Sequence, residues 1–111
     1  DLASESDEES SAEVKKRVER VREVQRARFE GHPGVHTNAD MGEREMKEFC
    51  ALSARCEKIL RTAFERLKLS ARARSRIVKV ARTVADLAGE EDIRPEHLLE
   101  AVSYRSYDNF G

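Results

Sequence analysis

Five charged side chains pose the chemical question in this 111-residue sequence. On a helical wheel of about 100° per residue, Arg72, Arg76, Lys79 and Asp86 share one narrow stripe, with Arg82 at its edge. A guanidinium is permanently charged, and its planar fork bonds two oxygens of a phosphate or carboxylate together. Such a stripe suits something negative; the plainer reading is a solvated helix face. Arg82 and Asp86 stand four apart, where opposite charges brace a helix by about 0.2–0.5 kcal/mol when exposed. An internal brace is preferred to catalysis for this pair, because nothing nearby supplies Asp86 with a nucleophile or acid to work with as a general base.

Other residue types offer less. His32, His36, Cys50 and Cys56 invite a zinc site, but their order and spacing match no standard finger, and Cys56 points into an apolar stripe. Loop histidines and buried thiols are the better reading, and no metal site is expected. The glycines Gly31, Gly34, Gly42, Gly89 and Gly111 do not form a G-x-x-x-x-G-K-[ST] loop, so the sequence holds no phosphate cradle. Nor does it hold an apolar strand ending in paired acids for magnesium. No catalytic residue is expected, and hydrolysis or tight binding of ATP by these residues alone is not expected.

The elements that must position these groups are all helical. The central helix covers about residues 70–88; Ser70 caps its start and Gly89 follows its end. Ile77, Ala81, Val84 and Ala88 lie opposite the charged stripe, flanked by Val78, Val80, Ala85 and Leu87. Before it, a first helix over about residues 11–29 opens on a Ser10–Glu13 capping box and carries a seam of Val14, Val18, Val21 and Val24. Its other faces are crowded with Lys15, Lys16, Arg17, Arg20, Arg22, Arg26 and Arg28. Residues 30–41 read as a loop, and Asp40 to Glu43 as a second capping box. A short helix over about residues 42–50 turns Met46, Phe49 and Cys50 inward. A third, over about 54–67 and capped by Ser53, does so with Cys56, Ile59, Leu60, Ala63, Phe64 and Leu67. Lys68 and Leu69 make a tight corner. The last helix begins near Pro95 and uses Leu98, Leu99, Val102 and Tyr104; His97 lies in its first turn. No period-two run indicates a strand. The expectation is an all-α bundle of about five helices: a mobile acidic lead-in (1–9), a connecting helix (10–30) and a helical domain (31–111).

Composition bounds the partners. Lysine and arginine number 21 against 22 acids, a formal net charge of −1. The balance conceals segregation: Asp1, Glu5, Asp7, Glu8, Glu9 and Glu13 precede any basic residue, while seven basic residues and no acid lie between Arg66 and Arg82. Such asymmetry argues for a local anionic contact. No apolar run approaches the roughly 20 residues that span a bilayer. No signal-peptide pattern is present, and two cysteines make no disulfide framework, so a cytoplasmic, reducing setting is expected. The first residue, Asp1, is not an initiator methionine, which suggests an excised piece.

From Leu69 onward the sequence resembles the C-terminal segment of magnesium chelatase-like AAA+ ATPases, in particular the bacterial ComM/YifB type. The residues that carry the likeness are Leu69-Ser70-Ala71-Arg72 and the run Arg76 to Gly89, with Ala81-Arg82-Thr83-Val84-Ala85-Asp86-Leu87 its most specific part. Ile93, His97-Leu98, Glu100-Ala101 and Tyr104-Arg105 continue it. Ser10 to Val14, Asn38, Glu45 and Phe49-Cys50 extend it backward. Arg74 departs from the pattern, which has an aromatic there; its stem could cover the core edge, or an acidic partner in a domain outside this sequence could meet its head.

The resemblance implies an AAA+ lid-like bundle that closes over ATP and magnesium held by a P-loop core upstream in the same chain. It implies that Arg72 is the sensor-2 arginine reaching the nucleotide's phosphates, with Arg76, Lys79, Arg82 and Asp86 as possible support. It further implies a homo-oligomeric ring of a bacterial protein that works on DNA in recombination or branch migration. Two other classes remain open on the residues alone. The basic faces of the first and central helices suit a free-standing DNA-binding module, and the valine seam suits a helical adaptor for another protein.

Overall fold

The computed structural model describes residues 10–108, with side chains described up to Tyr104. Residues 1–9 and the side chain of Arg105 lie outside what is described. Among the described residues there are five α-helices and no strand: α1 (Ser11–Arg28), α2 (Glu43–Phe49), α3 (Ala54–Leu67), α4 (Ala71–Leu87) and α5 (Pro95–Asp108). A single 3-10 turn, Asn38–Asp40, interrupts the α1–α2 connection. The fold is the expected small all-α bundle.

Capping serines set the starts of three helices. Ser10 Oγ accepts from Glu13 N–H at 3.1 Å, Ser53 Oγ from Cys56 N–H at 3.2 Å and Ser70 Oγ from Ala73 N–H at 3.2 Å. Each satisfies a donor that the first turn leaves without an intrahelical acceptor. At the start of α5 a histidine does related work: His97 is buried, and its Nδ1 accepts from Arg94 N–H at 2.9 Å. Two helices end in left-handed residues. Lys68 (φ 51°) turns α3 back, and Leu69 N–H reaches the Phe64 carbonyl at 3.1 Å. Gly89 (φ 72°) closes α4, and Glu90 N–H reaches the Ala85 carbonyl at 2.9 Å. Both are the wide closing bonds of a Schellman-type end.

α4 is the central element, packed on α5, on α1 and on the 3-10 turn. Its Ile77, Val78, Ala81 and Ala85 meet Leu60 of α3 and Leu98 and Ala101 of α5 in the core. Small alanines let the helices approach closely, while Leu60, Ile77 and Leu98 fill the space between them. Phe29, just past α1, joins the same core.

Several inward assignments fail in an instructive way. Of the α1 seam only Val21 is buried; Val14, Val18 and Val24 are exposed, because little of this helix finds a neighbour in the bundle. On α5, Leu98 is buried, but Leu99 and Tyr104 are exposed. On α3, Leu67 is exposed; on α4, Val80, Leu87 and Ala88 are exposed. The bundle covers a narrower arc of each helix than its apolar residues span. The region read as plain loop contains the 3-10 turn, and the second capping box is placed differently. Asp40 turns back to accept from His36 and Thr37 N–H, both at 3.1 Å, whereas Glu45 accepts from Gly42 N–H at 2.8 Å.

Candidate functional site

The polar stripe of α4 divides into two chemically different halves. At its start, Ser70 caps the helix, and no acid lies in the first turn. Arg72 stands exposed there and makes no ion pair among the described residues. Arg76, one turn on, is also exposed. Lys79 is half-buried and donates to the Ala39 carbonyl at 3.3 Å. The exposed cation at 72 and the free N–H groups of a first turn together make this end electropositive. Arg74, on the other side of the turn, finds its acid within the bundle: its Nη2 lies 3.3 Å from Glu57 Oε2.

The far end of the stripe is interior. Arg82 and Asp86 are buried, 3% and 6% exposed. Asp86 is the hub. Its Oδ1 accepts from Arg28 Nη2 at 2.7 Å and from Arg82 Nε at 3.2 Å. Its Oδ2 accepts from Arg28 Nη1 and from Asn38 Nδ2, both at 2.8 Å. Asn38 is itself buried; its Oδ1 accepts from Arg28 at 2.9 Å, and its Nδ2 also donates to Thr83 Oγ1 at 3.0 Å. Arg82 spends its remaining donors on backbone carbonyls: Phe49 at 3.2 Å, Glu91 at 2.9 Å and Glu90 at 3.0 Å.

Two guanidiniums face one carboxylate here, so a positive charge is left over. The carbonyls that Arg82 meets lie at the last residue of α2 and just beyond α4, where helix dipoles place partial negative charge. The excess is therefore offset by oriented backbone. One carboxylate and one arginine tie together the end of α1, the 3-10 turn, the end of α2 and the α4–α5 connection. Arg82 and Asp86 thus form the internal brace that their spacing suggests, and neither shares a surface with Arg72. Residues 72 and 86 are about 21 Å apart along the helix.

Arg28 and Asn38 were legible only in part. Asn38 belongs to the residues that carry the family resemblance, but its type and position in a loop suggested a turn. Arg28 was one of many cations on α1. The usable signal was an isolated carboxylate, Asp86, on an otherwise basic and apolar helix, which requires more than one partner if buried.

The histidines and thiols are occupied singly. His32 lies 3.3 Å from both Glu45 and Glu48, with its ring edge-on to Phe49 at 5.4 Å between centroids. Cys50 Sγ packs 3.8 Å from Met41 Sδ, and burial pushes its thiol up to about 11. Cys56 Sγ donates to the Ile93 carbonyl at 3.6 Å. Among the described residues no three such groups gather in a way that could hold a metal ion. No described helix is long and apolar enough to cross a membrane. Tyr104 donates to Glu100 at 2.9 Å, and the neighbouring carboxylate holds its phenol above the usual range.

A five-helix bundle braced by a buried Arg–Asp–Arg cluster, with an arginine exposed at the start of its central helix, is the class of domain defined here. The family model described as "Magnesium chelatase, subunit ChlI C-terminal" matches residues 8–105, and the chain belongs to that family. The competence protein ComM of Haemophilus influenzae is 41% identical over 98 residues, covering 88% of this chain and 18% of the relative. The protein YifB of Salmonella typhimurium is 42% identical over 100 residues, 90% of this chain and 19% of the relative. A Mycobacterium bovis protein is 34% identical over 102 residues, 92% and 20% respectively. The chain thus spans about a fifth of the length of these relatives.

Proposed function

We propose that this domain is the lid of a magnesium chelatase-related AAA+ ATPase. It closes over ATP and magnesium bound by a P-loop core elsewhere in the protein, and Arg72 reaches the phosphates. The observation that carries this reading is the exposure of Arg72 on a capped first turn with no internal acid to neutralise it. A guanidinium and the unpaired N–H groups of a helix start act together on an anion. Arg76 and Lys79 extend the same positive surface. Arg82 and Asp86 do not reach it; their part is to hold α4 in place. The one-fifth coverage of the relatives leaves ample length for an ATPase core, and rigid-body closure of a lid is a standard way to couple nucleotide state to subunit movement. Membership of the family, together with a relative named as a competence protein, supports a whole protein that forms a ring and acts on DNA.

The test uses the whole protein. Arg72→Ala should lower steady-state ATP hydrolysis by about 100–1,000-fold, as removal of one charge-stabilising donor does, and leave the circular-dichroism spectrum unchanged. Unaltered hydrolysis with a folded protein rejects the role of Arg72.

A second reading rests on α1. Its exposed Lys15, Lys16, Arg20 and Arg22 stand clear of the bundle and could contact a phosphate backbone. Exchanging Lys15, Lys16 and Arg20 for glutamate should then weaken DNA binding and flatten its salt dependence without changing hydrolysis in the absence of DNA.

A further inference from the structure

Between α3 and α5 lies an open, mostly apolar groove of about 510 Å³. Its floor is Ile59 and Ala63 of α3 with Val102 of α5. Leu67 and Leu99 stand at its edge, 41% and 57% exposed. Lys58 and Arg66 rim it along α3. They are two turns apart, about 12 Å along the axis, and neither forms an ion pair among the described residues.

We infer that this groove docks an amphipathic helix from a partner, one that carries carboxylates beside its apolar ridge. A trough between two helices takes the side-chain ridge of a third, with anchors about one turn apart. Leu67 and Leu99 supply the apolar contact at its edge. Lys58 and Arg66 supply the sign: a helix lined with acids is steered in, and one lined with lysines is repelled. That charge argument disfavours α1, and a count of apolar anchors disfavours residues 1–9. α1 presents exposed valines, but Lys15, Lys16, Arg20 and Arg22 surround them and would face Lys58 and Arg66. Residues 1–9 are acidic but hold one leucine, too few anchors for the groove. Arg72 is not among the groove's lining residues, and docking there needs no nucleotide, so the proposal stands or falls independently of the lid reading.

The probes are two helical peptides of about 18 residues with identical leucine ridges at i, i+4, i+7 and i+11, one flanked by glutamates and one by lysines. Each is titrated into the isotope-labelled chain and followed by NMR. The glutamate peptide should shift the signals of Ile59, Ala63, Leu67, Leu99 and Val102, and bind at least about tenfold more tightly than its lysine twin. Lys58→Glu together with Arg66→Glu should invert that preference; both residues are exposed, so the fold should survive, as a circular-dichroism spectrum will confirm. Equal binding of the two peptides, shifts confined to other surfaces, no binding of either, or self-association through the groove without peptide each overturns the proposal.

Discussion

The two ends of α4 carry the same residue type to opposite effect. Arg72 is exposed where the helix dipole already opposes a cation, and nothing in the bundle answers its charge. Arg82, three turns on, is sealed inside and answered by Asp86 and by three backbone carbonyls. What differs is the company each keeps. α1, the 3-10 turn and the end of α2 converge on the polar face of the helix's second half and leave the polar face exposed at Arg72 and Arg76. The charge at Arg82 is met within the fold; the charge at Arg72 is not.

The largest effect should come from breaking the buried end. Asp86→Ala leaves Arg28 and Arg82 without their shared carboxylate. Removing one partner from a buried ion pair costs about 3–5 kcal/mol, because the remaining charge stays desolvated. Urea denaturation of the variant should show a midpoint lowered accordingly. A loss below about 1 kcal/mol, the level of an exposed pair, would mean that the cluster is solvated and the contrast between the two ends is wrong.

This end also shows how far the sequence could be read. Helix positions followed from capping serines, Gly89 and Pro95, all of them local signals that act within four residues. The boundaries of α3 needed no correction. Burial could not be read as well, because it depends on which arc of each helix finds a neighbour. Val14 and Val18 sit on as regular a seam as Ile77 and Ala81, yet little of α1 finds a neighbour in the bundle, while α4 lies at its centre. The Arg82–Asp86 brace was visible as a spacing, but its strength was not. Arg28 is 58 residues from Asp86 and Asn38 is 48 from it, separations at which no local rule pairs them. Arg74 likewise gave no hint of Glu57, a residue on another helix. Exposure of Arg72 was foreseeable in kind, since a cation in a first turn has no local partner.

A smaller effect tests the joint that carries the brace to α5. Gly89 holds φ at 72°, and a Cβ added there would meet nothing within 4 Å. The cost of Gly89→Ala is therefore backbone strain alone, about 1 kcal/mol. The same denaturation experiment measures it. A loss of several kcal/mol would instead indicate that the turn positions Glu90 and Glu91 for Arg82 and that the strain propagates into the cluster.

Acid should act through the surface capping groups. Backbone N–H bonds from His36 and Thr37 hold the Asp40 carboxyl below its usual range, and the Gly42 N–H followed by His32 does the same for Glu45. A carboxyl with a lowered folded-state pKa contributes stability that is fully present above its unfolded value. That contribution is lost as pH falls through the folded value. Stability should thus fall on acidification from pH 5 downward, and Asp40→Asn should shallow that slope by lowering stability at pH 7, where the carboxylate's contribution is fully present, while changing little in strong acid. An unchanged slope would show that the 3-10 turn does not depend on its carboxylate.

The smallest effect on the fold belongs to Arg72. Arg72→Ala removes a cation from the first turn, where the dipole disfavours it by about 0.3–1 kcal/mol. It also installs the best helix former in place of arginine. No packing is lost that would offset these gains, since the side chain is exposed. The variant should therefore match or slightly exceed the parent in urea, by no more than about 1 kcal/mol. Destabilisation by 1 kcal/mol or more would reveal an internal role for Arg72 and make the two ends of α4 alike. If instead the fold gains by losing this arginine, the residue's purpose lies beyond the bundle, in what its charge meets when a ligand or another domain arrives.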